Sequence, residues 1–172
     1  MTPLAAVALI GFMGAGKSHA GMRAAALLQV PFTDTDALIA EQLGPIEEIF
    51  ARHGETYFRS VERDVAVAVL EKQVGLPGVV SLGGGAVVSA DVRQALGRLP
   101  HTVWLTAPPD VLFARATGGR RPLARDEATF RLLLDQRLPL YRELATATVS
   151  NDGSRPIDEV ASQIAALARG PA

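Results

Sequence analysis

Residues 11–18 read Gly-Phe-Met-Gly-Ala-Gly-Lys-Ser, a G-x-x-x-x-G-K-S pattern set directly after an uncharged apolar run over 5–10. A run of that length bounded by glycine suits a buried parallel strand, and the alanine- and leucine-rich stretch 17–29 suits a helix, so the glycines fall at a strand-to-helix turn. Glycine lets the backbone there close into a loop whose N–H groups point at phosphate oxygens, and the following helix adds the positive end of its dipole. The pattern predicts a nucleoside triphosphate site on Gly14, Ala15, Gly16, Lys17, Ser18 and His19. Lys17 would bridge the β- and γ-phosphates, and the Ser18 hydroxyl would bind Mg²⁺. A secretory-signal reading of the same stretch fails at both ends. No Lys or Arg precedes it, and Lys17 stands where a small-residue cleavage site should approach.

A chain of 172 residues sets the prior at one domain, here the whole of 1–172. Its 17 basic and 18 acidic residues leave no positive excess for nucleic acid or a membrane surface, which points to small-molecule partners. With no cysteine there is no disulfide framework and no thiolate zinc site, and no apolar run reaches membrane length. The expectation is a cytoplasmic, monomeric enzyme.

Strand-like and helix-like segments alternate along the chain. Short β-branched or apolar runs at 79–82, 102–106 and 146–150 are separated by helical patterns at 89–99, 108–117 and 127–144, and another helix follows at 156–169. This is the signature of βαβ units: an α/β fold with a parallel sheet flanked by helices on both faces. The glycine- and arginine-rich stretch 118–126 has the composition of a mobile lid.

Three further groups of residues carry chemistry. Asp34-Thr35-Asp36 follows a strand-like 30–33 and precedes a helical 37–43, at the sheet edge where ligands bind in this topology. Alternating residues of an extended segment face the same way, so Asp34 and Asp36 are expected to address one site, one on the water shell of magnesium and the other accepting a proton from a hydroxyl. Helix N-capping is the competing use of either aspartate alone. Gly83-Gly84-Gly85 follows the third strand-like run. Three glycines point to a backbone that something approaches closely, with a plain flexible turn as the alternative, and Ser81 just before them is placed to hold metal-bound water. Arg59, Arg121 and Arg137 each border a Pro, Gly or aromatic residue read as a turn, and a guanidinium pairs bidentately with carboxylate or transferring phosphate. Arg52, Arg93, Arg98 and Arg169 read as solvated surface charge, and the single Trp104 as a core residue.

The G-x-x-x-x-G-K-S pattern, Asp34-Thr35-Asp36, Phe58-Arg59-Ser60-Val61-Glu62, Gly83-Gly84-Gly85, Arg121-Pro122-Leu123 and Arg137-Leu138-Pro139-Leu140-Tyr141 occur in that order across nearly the whole chain. Together they closely resemble the shikimate kinase family. The resemblance implies a five-stranded parallel sheet of the nucleoside-monophosphate-kinase, P-loop type, a three-layer fold with a lid about 118–126 and a shikimate-binding region about 34–62. It further implies transfer of the γ-phosphoryl group of MgATP to the 3-hydroxyl of shikimate, a step toward chorismate and the aromatic amino acids. Carried over residue by residue, it makes Asp36 the candidate base, with Lys17 and Arg121 acting on the phosphate. It puts Asp34 and Ser81 in the magnesium shell through water, beside Ser18. It assigns Arg59, Arg137 and Gly83 to Gly85 to the acceptor, Glu62 to orienting Arg59, and Arg155 with Pro156 to the adenine, on a loop over 149–155. The chain departs from the family pattern in placing His19 where a second hydroxyl residue is usual, and Ala114 where an adenine-stacking arginine is usual, with Arg115 one position away. The alternatives left open are a kinase for another polyol acid such as gluconate, and a nucleotide-dependent switch protein.

Overall fold

Ala6–Ile10 forms β1, with all five side chains buried. In the computed structural model, which describes residues 4–118 and 126–169, β1 is the middle strand of a five-stranded sheet. The others are β2 (Phe32–Asp34), β3 (Gly78–Ser81), β4 (His101–Thr106) and β5 (Ala147–Ser150), in the order β2-β3-β1-β4-β5. All four pairings are parallel, with Ala8 facing Val80 on one side and Thr102 on the other. Parallel strands need crossover helices, and those helices cover both faces. That is why β1 and β3 read as unbroken buried runs.

The connecting helices are α1 (Lys17–Leu28), α2 (Thr35–Leu43), α3 (Ile46–Gln73), α4 (Ala90–Leu96), α5 (Pro109–Thr117), α6 (Glu127–Leu144) and α7 (Ile157–Ala168). Strands and helices fall within a residue or two of their sequence positions, except that α4 ends at Leu96 rather than at 99, and the boundary between β2 and α2 is shifted. The expected 30–33 strand is displaced to Phe32–Asp34, and α2 starts at Thr35 rather than at 37. α3 adds to the elements expected from the sequence, which include no helix between 43 and 79. It is broken at Gly54, whose φ of 82° and ψ of 174° are not helical, so two helices run on from one another. The second buries Phe58, Glu62, Ala66 and Leu70, a stripe of every fourth residue in which one member is a carboxylate.

The main core fills both sides of the sheet, with Phe12 edge-on to Phe130 at 4.9 Å. A smaller core of Ile39, Ile49 and Phe58 fastens α2 to α3. Trp104 is half-buried rather than fully enclosed and stacks over Tyr141 at 6.0 Å. Arg93 is likewise not simply solvated. Its guanidinium donates to the carbonyls of Val87 (2.9 Å) and Val88 (2.7 Å), closing a 3₁₀ turn over Ala86–Val88.

Candidate active site

At the carboxyl end of β1 the chain turns through the glycine loop into α1, with Gly14 at φ 84° and Gly16 at φ 86°, backbone conformations that side chains rarely adopt. Lys17, only 8% exposed, bends back so that its ammonium donates to the carbonyls of Gly11 (2.8 Å) and Phe12 (3.1 Å). Beside it lies a cavity of about 250 Å³ lined by Gly14, Gly16, Lys17, Ser18, His19, Asp34, Asp36, Ser81, Leu82 and Arg115. The sheet order explains this gathering: β1, β2 and β3 are consecutive and parallel, so the residues leaving their carboxyl ends meet at one edge.

Asp34 and Asp36 do share that cavity, but not through extended alternation. Asp34 ends β2 and caps α2, accepting from the Ala37 N–H at 3.0 Å, while Asp36 stands in the first helical turn. Capping and a place on the cavity wall therefore coincide in Asp34, whose other oxygen accepts from the Ser18 hydroxyl. Thr35, between them, is fully buried. Its hydroxyl donates to the Ser81 carbonyl (3.3 Å) and accepts from the Gly83 N–H (3.1 Å), tying the start of α2 to the turn after β3. No group of three or more His, Asp or Glu side chains suited to a metal occurs among the described residues. A hydroxyl touching one carboxylate is instead a set of hard oxygen donors that suits magnesium, which keeps several waters and takes the rest from phosphate.

Gly83, Gly84 and Gly85 each meet something. A Cβ on Gly83 would come within 2.5 Å of a Glu62 carboxylate oxygen and 2.6 Å of one from Asp36, and a Cβ on Gly85 would run into the Arg59 guanidinium. The Gly84 carbonyl accepts from the Tyr141 hydroxyl at 2.6 Å. The three-glycine turn is thus a close-packed floor, and the flexible-turn alternative falls away.

Arg59 and Arg137 sit in mid-helix, in α3 and α6, not in turns. Arg59 pairs with Glu62 and lies 3.5 Å from Glu55. Arg137, 5% exposed, lies over the Phe12 ring at 5.3 Å. Both line a cavity of about 550 Å³ together with Glu55, Thr56, Val88, Leu133, Gln136 and Leu140. Burial pushes the Glu62 carboxyl above its ordinary value, Arg59 opposes that rise and Asp36 adds to it. Burial also draws the Arg137 guanidinium downward, with Tyr141 working against it, and raises Tyr141. Asp36, Glu62, Arg59, Arg137 and Tyr141 therefore form one electrostatically linked row running from the glycine loop into the larger cavity.

On the opposite side, residues 149 and 150 belong to β5, and the rest of the expected adenine loop follows it. Arg155 donates to the Ser150 carbonyl at 2.8 Å. Ala114 is exposed, whereas Arg115 reaches the loop itself, donating to the carbonyls of Asn151 (2.7 Å) and Gly14 (3.3 Å). Arg121 lies outside the described residues, as does all of the expected lid except its ends, Gly118 and Asp126. Thr35, Tyr141 and Asn151, the last within the expected adenine loop, carry no sequence signal of a role of their own. Each acts on a residue far away in the chain.

A family model described as shikimate kinase matches residues 13–169. The shikimate kinase of Salinispora arenicola is 43% identical over 92% of this chain and 95% of its own length. That of Mycobacterium avium is 46% identical over 86% of this chain and 85% of its own. Among solved structures, shikimate kinase from Acinetobacter baumannii in complex with shikimate superposes with a TM-score of 0.87 at 33% identity, covering 96% of this chain and 93% of that one. A gluconokinase from Sinorhizobium meliloti reaches a TM-score of 0.61 at 22% identity, a likeness of fold alone. Matched along most of its length both to the family model and to relatives of its own size, the chain belongs to the shikimate kinase family.

Proposed function

We propose that this protein transfers the γ-phosphoryl group of ATP to the 3-hydroxyl of shikimate, supplying shikimate 3-phosphate to aromatic amino-acid biosynthesis. The observation that carries the reading is the row Asp36, Glu62, Arg59, Arg137. It joins two guanidiniums facing one cavity to a carboxylate at the mouth of the phosphate loop, as a hydroxylated carboxylic acid requires. Of the two rival readings, a switch protein needs no such acceptor row, and the gluconokinase likeness is confined to the fold.

In this reading Arg59 and Arg137 take the substrate carboxylate, with Glu62 holding Arg59 at its angle and Gly83 to Gly85 leaving room against the floor. Asp36 accepts the proton of the attacking hydroxyl as its oxygen bonds to the γ-phosphorus and the bond from that phosphorus to the β-phosphate oxygen breaks, releasing ADP. Lys17 exchanges its carbonyl partners for β- and γ-phosphate oxygens and neutralises their charge, together with the loop amides. Gly14 to His19 hold the phosphates, and Arg155 serves the base side with Arg115 rather than Ala114. Ser18 directly, with Asp34 and Ser81 through water, would hold Mg²⁺, which supplies charge neutralisation on the phosphates when bound. Arg121 is assigned to the transferring phosphate on the family resemblance. A cytoplasmic monomer completes the proposal, and no helix among the described residues is long and apolar enough to cross a membrane.

The test is ADP release measured with shikimate, with gluconate and with no acceptor. Turnover with shikimate far above the other two is the expected result. Equal ADP release in all three would overturn the acceptor assignment.

A further inference from the structure

In a phosphate loop the amides must face the ligand, so the carbonyls of the same peptide planes must face away and find partners inside the protein. In this chain one such partner is a side chain 136 residues distant. Asn151 Nδ2 donates to the Ala15 carbonyl at 2.8 Å, and both residues are buried, Ala15 completely and Asn151 to 8% exposure. The peptide that carries the Ala15 carbonyl also carries the Gly16 N–H. Because a trans peptide points its carbonyl and its N–H in opposite directions, fixing the one fixes the other. Gly16 itself lines the cavity beside Lys17.

Asn151 is held as firmly as what it holds. Its N–H donates to the Thr106 carbonyl at 2.7 Å, extending the β4–β5 ladder by one bond, and its carbonyl accepts from Arg115 at 2.7 Å. The same Arg115 nitrogen reaches the Gly14 carbonyl at 3.3 Å, so two consecutive loop carbonyls are gripped from outside. The approach is close enough to dictate sequence. A Cβ on Gly16 would lie 2.5 Å from the Asn151 amide nitrogen, so glycine there serves this contact as well as the φ of 86°.

We propose that Asn151 is a positioning residue for phosphoryl transfer, setting the Gly16 amide toward the phosphates through the Ala15 carbonyl. It acts on the triphosphate and not on the base, although the loop it begins is the one assigned to the adenine. The inference rests on the phosphate-loop reading but not on the identity of the acceptor.

The experiment compares the parent with Asn151→Ala and Asn151→Asp, measuring the inhibition constants of inorganic tripolyphosphate with Mg²⁺ and of adenosine against ATP, with kcat and both KM values. Loss of one buried hydrogen bond predicts tripolyphosphate binding about tenfold weaker in Asn151→Ala. Asn151→Asp should be weaker still, because a carboxylate would face the Ala15 carbonyl. Adenosine inhibition and the KM for shikimate should stay at parental values while kcat falls. Weakened adenosine with unchanged tripolyphosphate would overturn the proposal and make Asn151 a base-binding residue. Unchanged constants for both ligands would overturn it as well. Melting curves accompany each variant, and should Asn151→Asp fail to fold, the tripolyphosphate constant of Asn151→Ala decides alone. Absence of shikimate turnover in the parent would sink the acceptor assignment alone, because the tripolyphosphate and adenosine constants are then read as dissociation constants by calorimetric titration, which needs no acceptor.

Discussion

The Arg59 guanidinium rests on the α-carbon of Gly85, in space that the Cβ of any other residue would occupy. The Gly85 backbone, at φ −94° and ψ −8°, is one that alanine adopts freely, so Gly85→Ala carries no conformational penalty of its own. What it displaces is the end of a flexible side chain. We expect the variant to melt within a few degrees of the parent and to show a KM for shikimate raised roughly tenfold or more, with the KM for ATP little changed. A variant with parental shikimate KM would mean that Arg59 does not touch the acceptor.

Replacing Arg59 or Arg137 by lysine keeps a cation but removes the planar fork. Each change should raise the KM for shikimate by about tenfold or more and leave ATP binding near its parental value. Because Arg137 is the more enclosed of the two, Arg137→Lys should also lower the melting temperature more than Arg59→Lys does. Equal losses of ATP and shikimate affinity would transfer these arginines to the nucleotide side.

Glu62 gives a pH signature. Its carboxyl is raised by burial, so its ionisation works against the fold: its contribution to stability is full below the ordinary carboxylate value of 4.5 and is lost as pH rises through the raised one. Glutamine does not ionise. The melting temperature of the parent minus that of Glu62→Gln should therefore fall as pH is raised from about 4 to about 7. Over the same range Glu62→Gln should bind shikimate more weakly, having lost the ion pair that orients Arg59. A difference that rises with pH would show that the pairing with Arg59 outweighs the burial.

Asp36→Asn keeps the shape of the side chain and removes the proton acceptor. It should lower kcat on the order of 10²-fold or more, with shikimate binding largely retained. Near-parental kcat would reduce Asp36 to a binding residue.

The sheet and most of its helices were legible because their signals are local: apolar runs, proline and acidic residues at helix starts, glycines at the phosphate loop. α3 was not, because Gly54 and its polar neighbours interrupt a pattern that resumes at Phe58 with a carboxylate in its buried stripe. Asp34 and Asp36 line one cavity, yet their geometry comes from a strand ending one residue before a helix begins, a boundary too fine for periodicity to fix. Arg59 and Arg137 were singled out on the supposition that they stand in turns, and their actual helical setting depends on packing across α3, α6 and Phe12. Thr35, Tyr141 and Asn151 were unreadable for one reason: each bonds to backbone 46 to 136 positions away, and no neighbouring residue marks the contact.

The strand order makes β1 a watershed. To one side, β2 and β3 with α2 and α3 supply Asp36, Glu62, Arg59 and the glycine floor; to the other, β4 leads into α5, which carries Arg115, and β5 into the loop that carries Asn151 and Arg155. An exchange of acceptor specificity by grafting would naturally take the first half as a cassette. Such a graft would fall short by one helix, because Arg137 and Tyr141 ride on α6, which belongs in chain order to the second half and crosses back to touch Gly84. The walls of the cavity proposed for the acceptor are thus assembled from both halves of the chain, and under that proposal neither half carries a transferable specificity of its own.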